Sequence, residues 1–268
     1  MSSNKVVLIT GASSGIGLDI AEKLQLDGYE VFGTSRKGAQ PNTNYSFKMV
    51  ELDVTKDGSV ATAVAEVMKN AGKIDVLINN AGVGISWAAA EESSIEQSKF
   101  IFDTNLFGVM RMTQAVLPHM REQGSGRIIN IGSISGIVPV AFGAIYSASK
   151  HALEAYTEAL DHEVRNQGIR VSVIDPHLIK TPMFSKDLEP DRPLSIYSET
   201  RKRLATSMEK QLESAEETSV VTDTVLYSLQ QTAPHIRYTP GRAKRFAYFR
   251  YYAPSAIFDR VIQKFLDG

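Results

Sequence analysis

Lys5-Val-Val-Leu-Ile-Thr10-Gly11-Ala-Ser-Ser-Gly15-Ile-Gly17, running on into Leu18 to Leu26, is the stretch on which the fold reading turns. Residues 5–10 are a short apolar, β-branched run, which predicts a buried strand. Leu18 to Leu26 carries helical periodicity. Strand, glycine turn and helix in that order aim the first N–H groups of the helix at an anion. Gly11 permits the tight turn, Gly15 lets backbone approach a pyrophosphate, and Gly17 lets the helix pack close to the sheet. Ser13, Ser14 and Ile16 complete this candidate cofactor loop. The spacing is G-x-x-x-G-x-G, not G-x-G-x-x-G, so the flanking strand and helix carry the signal.

The next elements continue the pattern. Tyr29 to Ser35 predicts a second strand. A dinucleotide fold selective for NAD holds an acidic residue there for the ribose 2′-OH. This chain has Ser35, then Arg36 and Lys37, which suits a 2′-phosphate or is simply a solvated basic turn. A polar loop over 38–46 leads to a third strand, Met49 to Asp53. Asp57 to Ala71 is an amphipathic helix ended by Gly72. Asp75 to Asn79 is a fourth strand running into Asn79-Asn80-Ala81-Gly82. This alternation demands right-handed crossovers and a parallel sheet. The fold class is α/β: one doubly wound Rossmann-type domain over 1–268, with a parallel sheet of about seven strands and helices on both faces.

Composition agrees. The chain has 268 residues, 43% hydrophobic and 22% charged, with a net charge of −1. That charge provides no field for nucleic acid or membrane. The absence of cysteine excludes disulfides, thiol nucleophiles and Cys-zinc sites. No apolar run reaches the ~18 residues of a membrane span, and the first residues carry no signal-peptide pattern. A cytoplasmic location is the expectation, and no His/Asp cluster suggests a metal.

Ser94 to Gln123 is a long helical pattern with Asn105 in its middle. Arg127 to Ile131 predicts a fifth strand, and Ser133 just past it falls at the carboxyl edge, where ligands bind. Ser135 is close enough to compete for the same role. Tyr146 and Lys150 share one helical face, one turn apart. A free tyrosine is a poor base at pH 7, but an adjacent ammonium favours the phenolate. Ala148, Ala152, Ala155 and Ala159 form a smooth face on the same helix, for packing inside the subunit or across a two-fold axis. Ile169 to Ile174 is a sixth strand, followed by Asp175-Pro176-His177 and Thr181. Residues 183–213 read as a helical flap, 216–231 as a helix, and Arg237 to Gly241 as the last strand and its turn. Residues 242–268 form an aromatic, basic extension.

Thr10-Gly-Ala-Ser-Ser-Gly-Ile-Gly17, Asn79-Asn-Ala-Gly82, Ser133, and Tyr146 with Lys150 together resemble the short-chain dehydrogenase/reductase family, from about residue 5 to about 185. Over the remaining third the resemblance is loose, and the tail, Arg242 to Gly268, looks more like the branch containing hydroxysteroid and retinol dehydrogenases. The resemblance implies that Asp53 and Val54 meet adenine, and that Asn79, Ala81 and Gly82 line the adenosine ribose. Asn79-Asn80 also suits a strand-ending turn. It implies that Asn105 holds a relay water through an opened backbone, and it selects Ser133 over Ser135. Pro176 and Thr181 would meet the nicotinamide carboxamide. The family has glycine where His177 stands, so His177 either alters the local backbone or points a polar group at substrate.

The function implied is NADP(H)-dependent interconversion of an alcohol and its ketone or aldehyde. Tyr146 would carry the proton, Ser133 polarise the carbonyl, and Lys150 lower the Tyr146 pKa and grip the ribose. Family members often form homodimers or homotetramers. Residues 83–90 and 137–145 contain no charge and include Trp87 and Phe142. With Phe184 they predict a lipophilic substrate pocket. A small polar carbonyl or sugar, a non-catalytic NADP(H)-binding regulator and a membrane-touching tail are the alternatives.

Overall fold

Alternate residues of β1 (Val6–Ile9) face opposite layers: Val6 and Leu8 enter one apolar cluster, Val7 and Ile9 another. A strand buried on both faces is the mark of a parallel sheet covered by helices. The computed structural model describes residues 4–39, 44–184 and 187–267, with side chains as far as 263. Residues 40–43 of the expected polar loop, 185–186 of the flap and Gly268 of the tail therefore lie outside the described residues.

The strands are β1, β2 (Glu30–Ser35), β3 (Lys48–Glu51), β4 (Val76–Asn79), β5 (Gly126–Ile131), β6 (Ile169–Ile174) and β7 (Arg237–Tyr238). They form one seven-stranded sheet in the order β3-β2-β1-β4-β5-β6-β7, and all six pairings are parallel. On one face, α1 (Gly15–Leu26) and α7 (Ser219–Gln230) bury Ile20, Leu24, Val221 and Val225 against β1 and its neighbours. On the other, α2 (Asp57–Ala71), α4 (Gly108–Gln123) and α5 (Ala144–Val164) bury Val64, Val67, Met112, Val116 and Leu160. Each such side chain contributes about 1.5–3 kcal/mol. The strand order reverses between β1 and β4, and this opens a crevice at their carboxyl ends.

Three boundaries differ from the sequence expectation. The third strand ends at Glu51, because Asp53 turns out to bond Thr55. The helix expected from 216 begins at Ser219, because the Glu216 backbone pairs with Leu178 and Lys180. The long helix over 94–123 is α3 (Ile95–Phe102), a π-helical turn at Asp103–Phe107, and α4. The described residues of the flap from 187 run irregularly to a short 3-10 turn at Ser195–Tyr197 and then into α6 (Ser198–Glu213). The tail forms α8 (Ala243–Tyr252) and α9 (Ser255–Asp267). Among the described residues no helix is long and apolar enough to cross a membrane, and no group of His, Asp and Glu is arranged to hold a metal.

Candidate active site

The glycine loop joins β1 to α1 at the crevice. Gly11 and Gly15 hold φ of 69° and 59°, where any side chain is strained. A methyl group on Gly17 would fall 2.4 Å from both Asn80 Nδ2 and the Gly11 carbonyl. Asn80 Nδ2 donates to the carbonyls of Thr10 (3.0 Å) and Gly11 (2.9 Å), and Thr10 Oγ1 accepts from the Asn80 and Ala81 N–H groups. The first turn of α1 has no acidic residue, and the Ser14 side chain makes no cap. A cradle of this kind, with its dipole uncompensated, fits a dinucleotide pyrophosphate.

Asn79, expected at the cofactor, turns the other way. It is buried, and its Nδ2 donates to Asn130 Oδ1 at 2.9 Å, while Asn130 Nδ2 donates to Thr157 Oγ1 at 2.9 Å. Its neighbour Asn80 shapes the loop instead. Val54 likewise sends its side chain into the core beneath Gly108, and its carbonyl accepts from Arg111 at 3.3 Å. Neither residue offers its side chain to the crevice. Ser35 ends β2, and its hydroxyl donates to the Gly38 carbonyl at 2.9 Å. Arg36 stands exposed beside it. Burial raises the Asp53 pKa, but hydrogen bonds from Thr55 and the charges of Lys56 and Arg36 hold it below its ordinary value.

Four expected residues meet at the carboxyl edge. Asn105, in the π-helical turn, is buried; its Oδ1 accepts from Val83 N and its Nδ2 donates to Val83 O, both at 2.9 Å. The same Nδ2 donates to Ser149 Oγ at 3.1 Å, which ties the turn to α5. A methyl on Gly82 would lie 3.3 Å from Asn105 Oδ1 and 3.9 Å from Lys150 Nζ. Ser133 follows β5; its N–H donates to Asp175 Oδ1 at 3.0 Å, and its Oγ accepts from Ser135 N at 3.1 Å. Lys150 is buried, and its ammonium donates to the Ile131 carbonyl at 3.0 Å.

Burial dominates the electrostatics of the site. It raises the Tyr146 pKa to about 12; the Ser133 hydroxyl pulls it down, and Asp187 and Asp175 push it further up. The Lys150 ammonium stands 5.9 Å from the ring centroid and donates to the Ile131 carbonyl. Burial lowers Lys150 to about 8, opposed by Asp175 and Glu154. Behind Ser133, burial and the neighbouring Glu154 hold Asp175 well above the usual carboxylate range. Glu154 Oε2 accepts from Arg237 Nε at 2.6 Å. The sequence reading passed over Asp175 as a site residue, although its place directly after β6 at the ligand-binding edge is a usable signal.

Ser133, Tyr146 and Lys150 border a cavity of about 1690 Å³ that also reaches Ile16 and Gly82. Trp87, Phe142, His177 and Phe184, the expected substrate residues, line it, as do Pro176 and Thr181. Trp87 and Phe142 have φ of 30° and 61° and are the two non-glycine residues with positive φ among the described residues. Such strain collects at ligand sites. His177 needs no glycine-like backbone; its ring stacks on Phe246 of α8 at 4.6 Å and 1°. The tail supplies Phe249 and Phe258 as well. The tail's aromatic character was read from sequence, but its place on this wall was not, nor was Asp187 beside it.

Comparison with known proteins adds the following. The short chain dehydrogenase family model matches residues 5–192. A 3-ketodihydrosphingosine reductase of Bacteroides thetaiotaomicron is 45% identical over 173 residues, which is 64% of this chain and 63% of that protein. The chain thus spans less than two thirds of this relative. A crystal structure of a short-chain dehydrogenase from Streptomyces avermitilis superposes with a TM-score of 0.82 at 31% identity, over 97% of each chain. A short chain dehydrogenase from Burkholderia cenocepacia in complex with NADP superposes with a TM-score of 0.75 at 26% identity, over 97% of this chain and 99% of that one.

Proposed function

Because the chain belongs to the short chain dehydrogenase family, we propose that it interconverts a lipophilic ketone or aldehyde and its alcohol with NADP(H). The observation that carries this reading is the convergence of Ser133, Tyr146 and Lys150 on one aromatic-walled cavity that reaches the glycine loop.

The nicotinamide, when bound, supplies or accepts the hydride at the substrate carbon. Gly11, Ser13, Ser14, Gly15, Ile16 and Gly17 hold its pyrophosphate. Ser35 and Arg36 bind a 2′-phosphate, a choice supported by the exposed guanidinium and by the NADP complex of the Burkholderia neighbour. Asp53 and the backbone of Val54 serve the adenine, Ala81 and Gly82 the ribose, and Pro176 and Thr181 the carboxamide.

Tyr146, with a pKa near 12, is fully protonated at neutral pH. It is therefore ready to donate to a carbonyl oxygen. Ser133 hydrogen-bonds the same oxygen and polarises it. Its position is fixed by Asp175, which accepts its N–H. Lys150, pinned by Ile131, presents its remaining N–H groups to the ribose hydroxyls, and Asn105 connects it to solvent. The exposed alanines 148, 155 and 159 on α5 suit a homo-oligomer contact.

The test is NADPH oxidation by the purified protein with ketones and aldehydes from short-chain to steroid-sized. Turnover that grows with apolar size supports the reading. No turnover of any carbonyl with either cofactor overturns it.

A further inference from the structure

Two carboxyl groups are packed against each other behind Ser133. Asp175 follows β6 and is fully buried. Its Oδ1 accepts the Ser133 N–H at 3.0 Å and lies where a side chain on Gly132 would collide with it. Glu154 reaches the same place from α5 and is buried too. Arg237 Nε, on β7, stands 2.6 Å from Glu154 Oε2 and 3.9 Å from Asp175 Oδ2, so the two acids flank one guanidinium nitrogen. They lie within hydrogen-bond reach of one another.

An ionised carboxylate is an acceptor only. Two of them in contact would repel and could not bond each other. The charged and titratable groups around the pair are Tyr146, Lys150 and Glu158 on α5, Arg237 on β7 and Tyr251 on α8. Of the cations, Lys150 donates to the Ile131 carbonyl and Arg237 to Glu154. Among the described residues neither donates to Asp175, and Asp175 Oδ2 and Glu154 Oε1 are buried without a donor. A proton held between the acids supplies the missing donor to this contact. Burial, then Glu154, already favours the neutral form of Asp175, against the opposing pull of Arg237 and the Ser133 N–H.

We propose that Asp175 is a neutral acid at physiological pH, that it shares one proton with Glu154, and that this shared proton holds Ser133 in place. Without it, two negative charges would face each other directly behind the Ser133 N–H and push that loop from the cavity edge. Neither acid lines the cavity, so both are positioning residues that act through Ser133. The assignment rests on the reading of Ser133 as the group that polarises the carbonyl, and it deepens that reading.

Asparagine is the neutral counterpart of the protonated acid. Asp175→Asn keeps an acceptor for the Ser133 N–H and gives Glu154 an N–H in place of the proton. Asp175→Ala removes both. The first readout is the infrared carbonyl stretch of a protonated carboxylic acid at pH 7, a band that ionised carboxylates lack. Asp187, with a pKa of about 6, is mostly ionised there. The wild type is expected to show the band at the strength of a whole carboxyl group, and Asp175→Asn to lose it. A wild type without the band, or a band unchanged in Asp175→Asn, overturns the proposal. The second readout is single-turnover ketone reduction with NADPH. Asp175→Ala is expected to be slower by roughly tenfold or more, as for a misplaced oxyanion donor, and Asp175→Asn to recover most of that loss. An Asp175→Asn protein as slow as Asp175→Ala would mean that Asp175 works as an anion, which contradicts the shared proton. Should Asp175→Asn fail to fold, the wild-type band at pH 7 decides alone. Should the wild type reduce no carbonyl, the reading of Ser133 has failed, and the infrared band still decides whether the acids share a proton.

Discussion

The Lys150 ammonium donates to the backbone carbonyl of Ile131, the last residue of β5, at 3.0 Å. The sheet edge thereby fixes a buried cation at the cavity floor, one helical turn from Tyr146. Its pKa falls from an ordinary 10.5 to about 8 through burial, which corresponds to about 3 kcal/mol of destabilisation by the charged form at neutral pH. Between pH 8 and 10.5 the unfolded chain binds more protons than the folded one, so this penalty is complete below pH 8 and gone above 10.5. Lys150→Met removes it at the expense of one hydrogen bond worth about 1 kcal/mol. The variant should be about 2 kcal/mol more stable at pH 7, and the gain should vanish by pH 10.5. Denaturant unfolding at the two pH values checks this, and a variant less stable than wild type at pH 7 contradicts it.

Asn105→Ala should both destabilise and inactivate. It strips partners from the N–H and the carbonyl of Val83 and from Ser149. The two Val83 groups, left unpaired at about 1–3 kcal/mol each, predict a loss of roughly 2–6 kcal/mol, while Ser149 keeps its bond to the Tyr146 carbonyl. Chemical denaturation measures the loss. A change below about 0.5 kcal/mol, the usual range for an uninvolved surface site, would show that the Asn105–Val83 pair does not hold the turn.

Arg36→Asp should invert cofactor choice. Losing a charge-assisted phosphate contact costs roughly 1.5–3 kcal/mol, or on the order of 10- to 100-fold in affinity. NADPH should weaken by that factor while NADH does not. Equal wild-type affinity for the two cofactors, by calorimetry, rules out the role given to Arg36.

Along a homologous series of straight-chain ketones, kcat/KM should climb several-fold per methylene until the cavity is full, since each buried CH₂ adds about 0.8 kcal/mol. Trp87→Ala should flatten the climb and leave NADPH affinity unchanged. A flat series in the wild type points instead to a small polar carbonyl.

Local pattern revealed the strands and the glycine loop, because each depends on neighbours a few positions away, while the resemblance to the family picked out Ser133 beside Tyr146 and Lys150, and all three border one cavity. Features set by distant contacts were hidden. Whether Asn79 or Asn80 faces the loop depends on strand parity and on Asn130, which lies across the sheet. The π-helical turn exists where Asn105 meets Val83, a contact that helical periodicity does not announce. The desolvation that raises Tyr146 comes from the elements packed around it, which the Tyr146–Lys150 spacing does not reveal. The place of Asp187 is set by the pairing of Leu188 with Gly84, a contact between segments far apart in sequence.

The most direct measurement is single-turnover reduction by Tyr146→Phe, a substitution that removes one hydroxyl, alongside Ser133→Ala and the Ser135→Ala control. NADPH binding should persist in all three. The reduction rate should fall by roughly 10²-fold or more in Tyr146→Phe, as expected for loss of a general acid, and fall similarly in Ser133→Ala, with Ser135→Ala close to wild type. A Tyr146→Phe protein that binds NADPH and reduces ketone at a near-wild-type rate would contradict the account.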